Sequence, residues 1–276
     1  MRERDIKKIL LWISSIFILV FCLAPFVFMS IVSFSKNPDF LLPSSSFIFT
    51  LSNYIDILKN NSTHILQYLM NSVIIAFLSA LFATLFSSLS AYSITRMKFP
   101  GRKAIPITLL AFSMFPQISI VGYLFKIMTS LDWVNTYQAL IFPYITLGLP
   151  LSLWIMLSYF SQLSQDLDNA ALVDGASRTQ ILTRIILPIS LPGLFSTFVL
   201  VFIYSFNEFL FALMLTIDYK ARTIPVGLAL FEGLHGQIPW GYIMAAAVIS
   251  IIPIVVLIAI FQKYIIQGLS EGALKG

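Results

Sequence analysis

"YLMNSVIIAFLSALFATLFSSLSAYSI", residues 68–94, contains no Asp, Glu, Lys, Arg or His. A bilayer's hydrocarbon core is spanned by about 20 predominantly apolar residues in a helix. The run is long enough, and it is continuous. A barrel strand facing lipid on one side and a wet lumen on the other would alternate apolar and polar positions instead. Residues 68–94 therefore read as one membrane-spanning helix, with every backbone group bonded inside the segment as lipid demands.

The same reading extends to five further runs, at residues 9–32, 104–125, 137–159, 189–215 and 241–261. Composition agrees: 58% of the residues are hydrophobic, 11% are charged, and 25 are Phe. The mean hydropathy of +0.91 lies outside the range of ordinary soluble domains. The sequence thus predicts an all-α integral membrane protein with six transmembrane helices in a single permease domain, 1–276. Pro25, Pro116, Pro143, Pro150 and Pro253 fall inside or at the ends of these runs, where ordinary kinks are expected.

Basic residues near span ends are retained on the cytoplasmic side. Arg2, Arg4, Lys7 and Lys8 precede the first run, and Arg96, Lys98, Arg102 and Lys103 follow the second. Arg178 and Arg184 separate the fourth and fifth, and Lys263 and Lys275 lie at or after the end of the sixth. The opposite faces hold only Lys36, Lys59, Lys126, Lys220 and Arg222. Both termini are expected inside, in a prokaryotic cytoplasmic (inner) membrane. The net charge of +5 is accounted for by this bias and supports no nucleic-acid partner. The single cysteine, Cys22, falls within the first run, so neither an internal disulfide nor a cysteine metal cluster can form. The first run is longer than a signal peptide's apolar region and reads as a retained helix.

Residues 164–187 then face the cytoplasm, and "NAALVDGASRTQILTRIILP", residues 169–188, interrupts the apolar pattern there. Ser164 or Asp166 suits a helix cap. Leu167, Ala170 and Ala171 form a narrow stripe whose alanines allow close approach by another surface. Gly175 suits a helix end in left-handed conformation. A second helical piece starts at Ser177 and carries Arg178 and Arg184 ahead of Pro188. On composition alone an amphipathic connector lying on the membrane surface fits equally well.

The order N-A-A-L-V-D-G-A-S followed by I-I-L-P strongly resembles the E-A-A-x-x-D-G-A…I-x-L-P segment of binding-protein-dependent ABC importer permeases. The resemblance covers nearly the whole chain. "LLPSSSFIFTLSNYIDIL" (41–58), "NSVIIAFLSALFATLFSSLSAYSITRMKFPGR" (71–102), "FNEFLFAL" (206–213), "WGYIMAAAVISIIPIVVLI" (240–258) and "QGLSEGALKG" (267–276) are similar to segments of the maltose-type carbohydrate subfamily. It implies a type I ABC importer permease fold and a coupling helix that docks on an ATP-binding subunit, with Asn169, Ala170, Ala171, Asp174, Gly175, Ala176 and Arg178 as the coupling residues. It also implies a tail that touches the ATP-binding subunits through Gly268, Gly272 and Lys275, and an external loop, about 216–240, that reaches toward a substrate-binding protein. A plain solvated loop and a frayed terminus are the alternatives for the last two. The implied assembly has a second homologous permease, two ATP-binding cassette subunits, an extracytoplasmic binding protein, a sugar substrate and membrane lipid. ATP and Mg would be bound by the cassette subunits, and this chain would bind no cofactor. Two departures stand out: Asn169 occupies the usual Glu position, and Phe206 the usual Trp position.

Asn207 and Glu208 are polar residues inside the fifth run, where an acid is expensive and faces the bundle interior or a hydrated cavity. They are candidates for the translocation pathway. Alternatively, Glu208 fastens the fifth span to a neighbour, or relays ions in a self-sufficient secondary transporter. Inverted repeats mark many such carriers, and none is convincing here. His64 and His235 have no partner at metal-ligand spacing, and neither a P-loop nor a G-x-S-x-G segment occurs, so the chain is read as non-catalytic.

Overall fold

A computed structural model describes residues 3–36, 48–60, 63–231 and 239–273, with side chains from 7 to 265 within these. The helices are α1 Glu3–Ser33, α2 Ser52–Lys59, α3 Ile65–Arg96, α4 Ala104–Ser113, α5 Gln117–Ser130, α6 Tyr137–Gln162 and α7 Asp166–Val173. They continue with α8 Arg178–Ile181, a π-helical turn Leu182–Ile186, α9 Leu187–Ile189, α10 Leu191–Phe206, α11 Leu210–Leu215, α12 Ile224–Ala229 and α13 Trp240–Ala273. Among the described residues no strand occurs, only an antiparallel bridge between Ser35 and Phe49.

Among the described residues four helices are long and apolar enough to cross a membrane unbroken, those containing residues 7–33, 65–96, 137–162 and 240–265. The other two expected spans are bent pairs: α4 and α5 meet at 94°, and the segment Arg178–Ile189 meets α10 at 78°. The count of six holds if each pair is one span. The expectation of continuous third and fifth helices does not. Pro116 stands at the first break with φ −65°, fixed by its ring, and ψ 127°, extended; its missing N–H cannot continue the hydrogen-bond ladder of α4. Pro25, Pro143, Pro150 and Pro253 lie inside assigned helices. Ser190 turns the second pair. A further interruption at Asn207–Phe209 separates α10 from α11.

The chain divides into two compact units, residues 1–66 with 228–252, and residues 67–227 with 253–276. In the first, Asn53 donates to the carbonyls of Ser33 (2.8 Å) and Ser35 (3.0 Å), and Tyr242 donates to Asp56 at 3.0 Å. Apolar side chains cover the circumference of α1, with Trp12 70% and Phe21 71% exposed, as a lipid-facing helix requires.

The second unit is built on α3, α6 and α10. Ala76, Ser79, Ala80, Ala83, Ser87 and Ala91 form a buried small-residue face on α3. Such faces let membrane helices approach closely, where packing and not water exclusion drives association. Gly148 of α6 sits where an added Cβ would lie 2.9 Å from Val201 of α10 and 3.6 Å from Ala83 of α3. One cluster of buried residues gathers Ile75, Leu140, Tyr144, Phe211 and Leu215; another gathers Tyr92, Met156, Phe160, Ala171, Ile181 and Ile186. Phe195 of α10 stacks on Phe261 of α13 at 4.7 Å.

Candidate functional site

Residues 164–187, expected on the cytoplasmic side, fold as a short helix, a turn and a second helix, and each joint has a local cause. The N-cap of α7 is Gln165, without a side-chain bond, and not Ser164 or Asp166 as expected; Ser164 Oγ instead accepts from the Asp166 amide at 3.1 Å and donates to Asp166 Oδ2 at 3.0 Å, just ahead of the helix. At the other end the Gly175 amide donates to Leu172 and the Ala176 amide to Ala171. These are the two bonds of a Schellman motif, with Gly175 left-handed at φ 82°. Ser177 then opens α8 with a capping box: its hydroxyl accepts from the Gln180 amide, and Gln180 Oε1 accepts from the Ser177 amide at 2.7 Å.

The faces of α7 differ. Asn169, Ala170, Asp174 and Val173, the last 88% exposed, point outward, while Arg178 beyond the turn is exposed but turns its side chain back toward Tyr92. Asp168 and Ala171 point inward and are buried. Ala171, expected on the outward stripe with Ala170, belongs instead to the chain's own core.

Asp168 receives two side chains, those of Arg96 and Tyr92. Its Oδ2 lies 3.0 Å from Arg96 Nε in ionic contact that is not aligned as a hydrogen bond, and its Oδ1 accepts from Tyr92 Oη at 3.1 Å. Arg178 reaches the same Tyr92 hydroxyl. Arg96 Nη2 also donates to the Leu163 carbonyl at 2.9 Å, just ahead of α7. Sequence reading used Arg96 only for orientation and gave Tyr92 no role. An arginine at the inner end of one span and an acid on a cytoplasmic helix were the available signals, but no spacing rule joins residues so far apart in the chain.

Glu208 lies in the break between α10 and α11 and is 7% exposed. Its carboxylate accepts from the amides of Phe211 (Oε1, 2.9 Å) and Ala212 (Oε2, 3.2 Å), the exposed donors of a helix start. Tyr144 of α6 donates to Oε2 at 2.6 Å. Asn207, next to it, is exposed and donates to its own helix at Ile203 O, 2.8 Å. Nearby, Gln117 at the start of α5 donates to Tyr204 of α10 at 2.7 Å, which joins the two broken spans.

On the opposite end of the unit, Asn71 of α3 donates to the carbonyls of Tyr219 (3.0 Å) and Arg222 (2.9 Å). Asn135 accepts from the amides of Ile217 and Asp218 and donates to Asp218 Oδ1 at 2.8 Å. That amide, and then the Lys220 N–H, hold the Asp218 carboxyl below its ordinary range. The expected irregular loop 216–240 is thus pinned at its start and contains α12; residues 232–238 lie outside the described residues. The tail, for which a frayed terminus was the alternative reading, is helical as far as Ala273, so Gly268 and Gly272 lie within α13, and Lys275 lies outside the described residues. No group of three or more His, Cys, Asp or Glu placed to hold a metal occurs among the described residues.

Residues 83–271 match the model of the binding-protein-dependent transport system inner membrane component family. The chain belongs to this family. It is 58% identical over 277 residues to the trehalose/maltose transport system permease protein of Thermococcus litoralis, covering 100% of both chains. It is 37% identical to the sulfoquinovosyl glycerol transport system permease protein of Agrobacterium fabrum, over 82% of this chain and 79% of that one. Its fold matches a chain of a bacterial ABC transporter that imports the polysaccharide alginate, with a TM-score of 0.77, 20% identity, and coverage of 96% and 98%. The permease is therefore a multi-pass membrane component of the ABC importer type, with a type I permease fold.

Proposed function

We propose that this permease forms half of the translocation pathway of an ATP-driven importer for α-linked glucose disaccharides of the trehalose and maltose class. Its full-length 58% identity to a trehalose/maltose permease carries that reading. The 37% relative named for another glycoside is too distant to redirect it. The chain is read as non-catalytic. Free energy enters through two ATP-binding cassette subunits, which hold ATP and Mg, while a second permease and an external binding protein complete the assembly.

Inward-open and outward-open states exchange, and ATP can bias that exchange only if the cassette subunits bind the two states with different free energies. The outward face of α7, Asn169 and Ala170 through Asp174, is where this difference is read, with Gly175, Ala176 and Arg178 shaping the turn beneath it. Asn207 faces the path, and Glu208 anchors the broken fifth span beside it. Carriage of ions by Glu208 in a self-sufficient transporter is disfavoured, because its carboxylate is occupied by two amides and a hydroxyl.

Gentle extraction of the tagged chain, mass spectrometry of what remains bound, and reconstitution with labelled trehalose and maltose test the reading. A second permease, a P-loop ATPase and uptake that needs ATP are expected. Uptake by the chain alone, without ATP, would overturn it.

A further inference from the structure

The helix–turn–helix is joined to the membrane bundle by a feature that packing does not require. Of the acids on this segment, Asp166 and Asp174 are exposed, whereas Asp168 is buried against Arg96, each side chain 4% exposed. A buried ion pair gains little stability, because desolvation offsets the attraction, and apolar residues of similar size often serve as well. What the pair supplies is resistance to slippage. Apolar surfaces slide past one another with small change in energy, but parting Arg96 from Asp168 leaves a bare charge in a dry site. Ala171, the other inward residue of α7, offers a single methyl group and cannot do this.

The remaining bonds converge on the same pair. Arg96 holds the Leu163 carbonyl at the entrance to α7, and Tyr92, one turn earlier on α3, holds the second Asp168 oxygen. Entrance and inner face of α7 are thus both fixed to the last turn of α3.

We propose that Arg96 and Tyr92 are positioning residues tying α7 to the second membrane span, and that Asp168 is the pin through which a displacement of α7 reaches α3. The proposal rests on the reading of α7 as the coupling helix. On it, α7 and the inner end of α3 move together through the transport cycle.

The test uses the whole importer in proteoliposomes with its binding protein and labelled trehalose and maltose, scored as sugar taken up per ATP hydrolysed. The unmodified complex is measured first, and absence of ATP-dependent uptake there counts against the functional reading itself. Asp168→Asn removes the charge and keeps the shape, Tyr92→Phe removes one hydroxyl, and Arg96→Asp combined with Asp168→Arg restores the pair in reverse. With the cassette subunits still bound, Asp168→Asn is expected to lower the ratio by roughly five- to hundredfold, the span of ordinary coupling energies. Tyr92→Phe lowers it less, and the reversed pair recovers part of the loss. A purely structural role would instead reduce the amount of assembled complex and leave the ratio normal in what assembles. That result, or an unchanged ratio in both single variants, overturns the proposal; if Asp168→Asn does not assemble, the ratio in Tyr92→Phe decides.

Discussion

Replacing Glu208 separates an anchor from a pathway residue. Its carboxylate accepts from the Phe211 and Ala212 amides and from the Tyr144 hydroxyl, the last at 2.6 Å. Glu208→Ala strips all three donors of their acceptor. At about 1–3 kcal/mol for each buried group left unpaired, the cost is about 3–9 kcal/mol, toward the lower end where water enters beside exposed Asn207. Glu208→Gln keeps one acceptor oxygen and turns an NH2 toward a donor, so about 1–3 kcal/mol is expected. At roughly 2–4 °C per kcal/mol for a large domain, Glu208→Gln lowers the melting temperature of the purified permease by about 2–12 °C and Glu208→Ala by more. Tyr144→Phe, measured singly and with Glu208→Gln, gives a double-mutant cycle in which the two losses are less than additive. The assay is thermal melting in detergent beside ATP-dependent uptake. A Glu208→Gln permease that melts at the unmodified temperature yet transports nothing would refute the anchoring argument and put the carboxylate in contact with the cargo.

Four further outcomes are expected. Gly175→Val forces a β-branched residue into φ 82°, costing about 1–3 kcal/mol, and yields an assembled complex with less sugar moved per ATP, while Gly175→Asn is tolerated. Val173→Ser removes the most exposed apolar side chain of α7, and co-purification of the cassette subunits should weaken, whereas Asn169→Ser should change it little. Gly193→Ala places a Cβ 2.6 Å from the Tyr159 ring, and melting should fall by the equivalent of about 1–3 kcal/mol for an overpacked site. Because the folded Asp218 carboxyl is held below its ordinary value of 3.8, its support of the loop that begins at 216 is complete above that pH and lost as pH falls through the lower folded value. Hydrogen exchange at the Lys220 amide, corrected for intrinsic rates, should show protection failing only in that acid range, and at higher pH in Asn135→Ala.

Span number and helical class were legible because lipid imposes them on every residue of a run. A bilayer excludes charge over its whole thickness, so 68–94 announces itself without tertiary information. Gly175 was legible for a similar reason, since a left-handed helix end is a local demand on one residue. The breaks were harder. Pro116 and Pro143 look alike in sequence, yet one ends a helix and the other lies within one, because neighbouring segments decide whether freed backbone groups find partners. Asp168 shows the same limit. Its direction relative to Asn169 follows from helix geometry, but that Arg96 waits on the inward side is a fact of three-dimensional placement. Glu208 was recognised as costly, and only the structure gives its carboxylate three donors.

The departure at Asn169 gains a physical meaning from this arrangement. The outward face of α7 lacks the usual carboxylate, while the inward face keeps a fully engaged one in Asp168. A charge at the outward position would act across an interface with another subunit, where water and salt weaken it. The inward charge is buried and sets where α7 sits. Burying a valine-sized side chain is worth about 1.5–3 kcal/mol, and Val173 is almost wholly free to be buried. Coupling between sites ordinarily amounts to about 1–3 kcal/mol. One apolar side chain inserted differently in the two states therefore suffices for docking without the missing carboxylate, provided the helix carrying it cannot slip. On the proposed reading of α7 as the coupling helix, the docking contact can vary at Asn169, while the hold on α7 depends on Arg96, Tyr92 and Asp168 together.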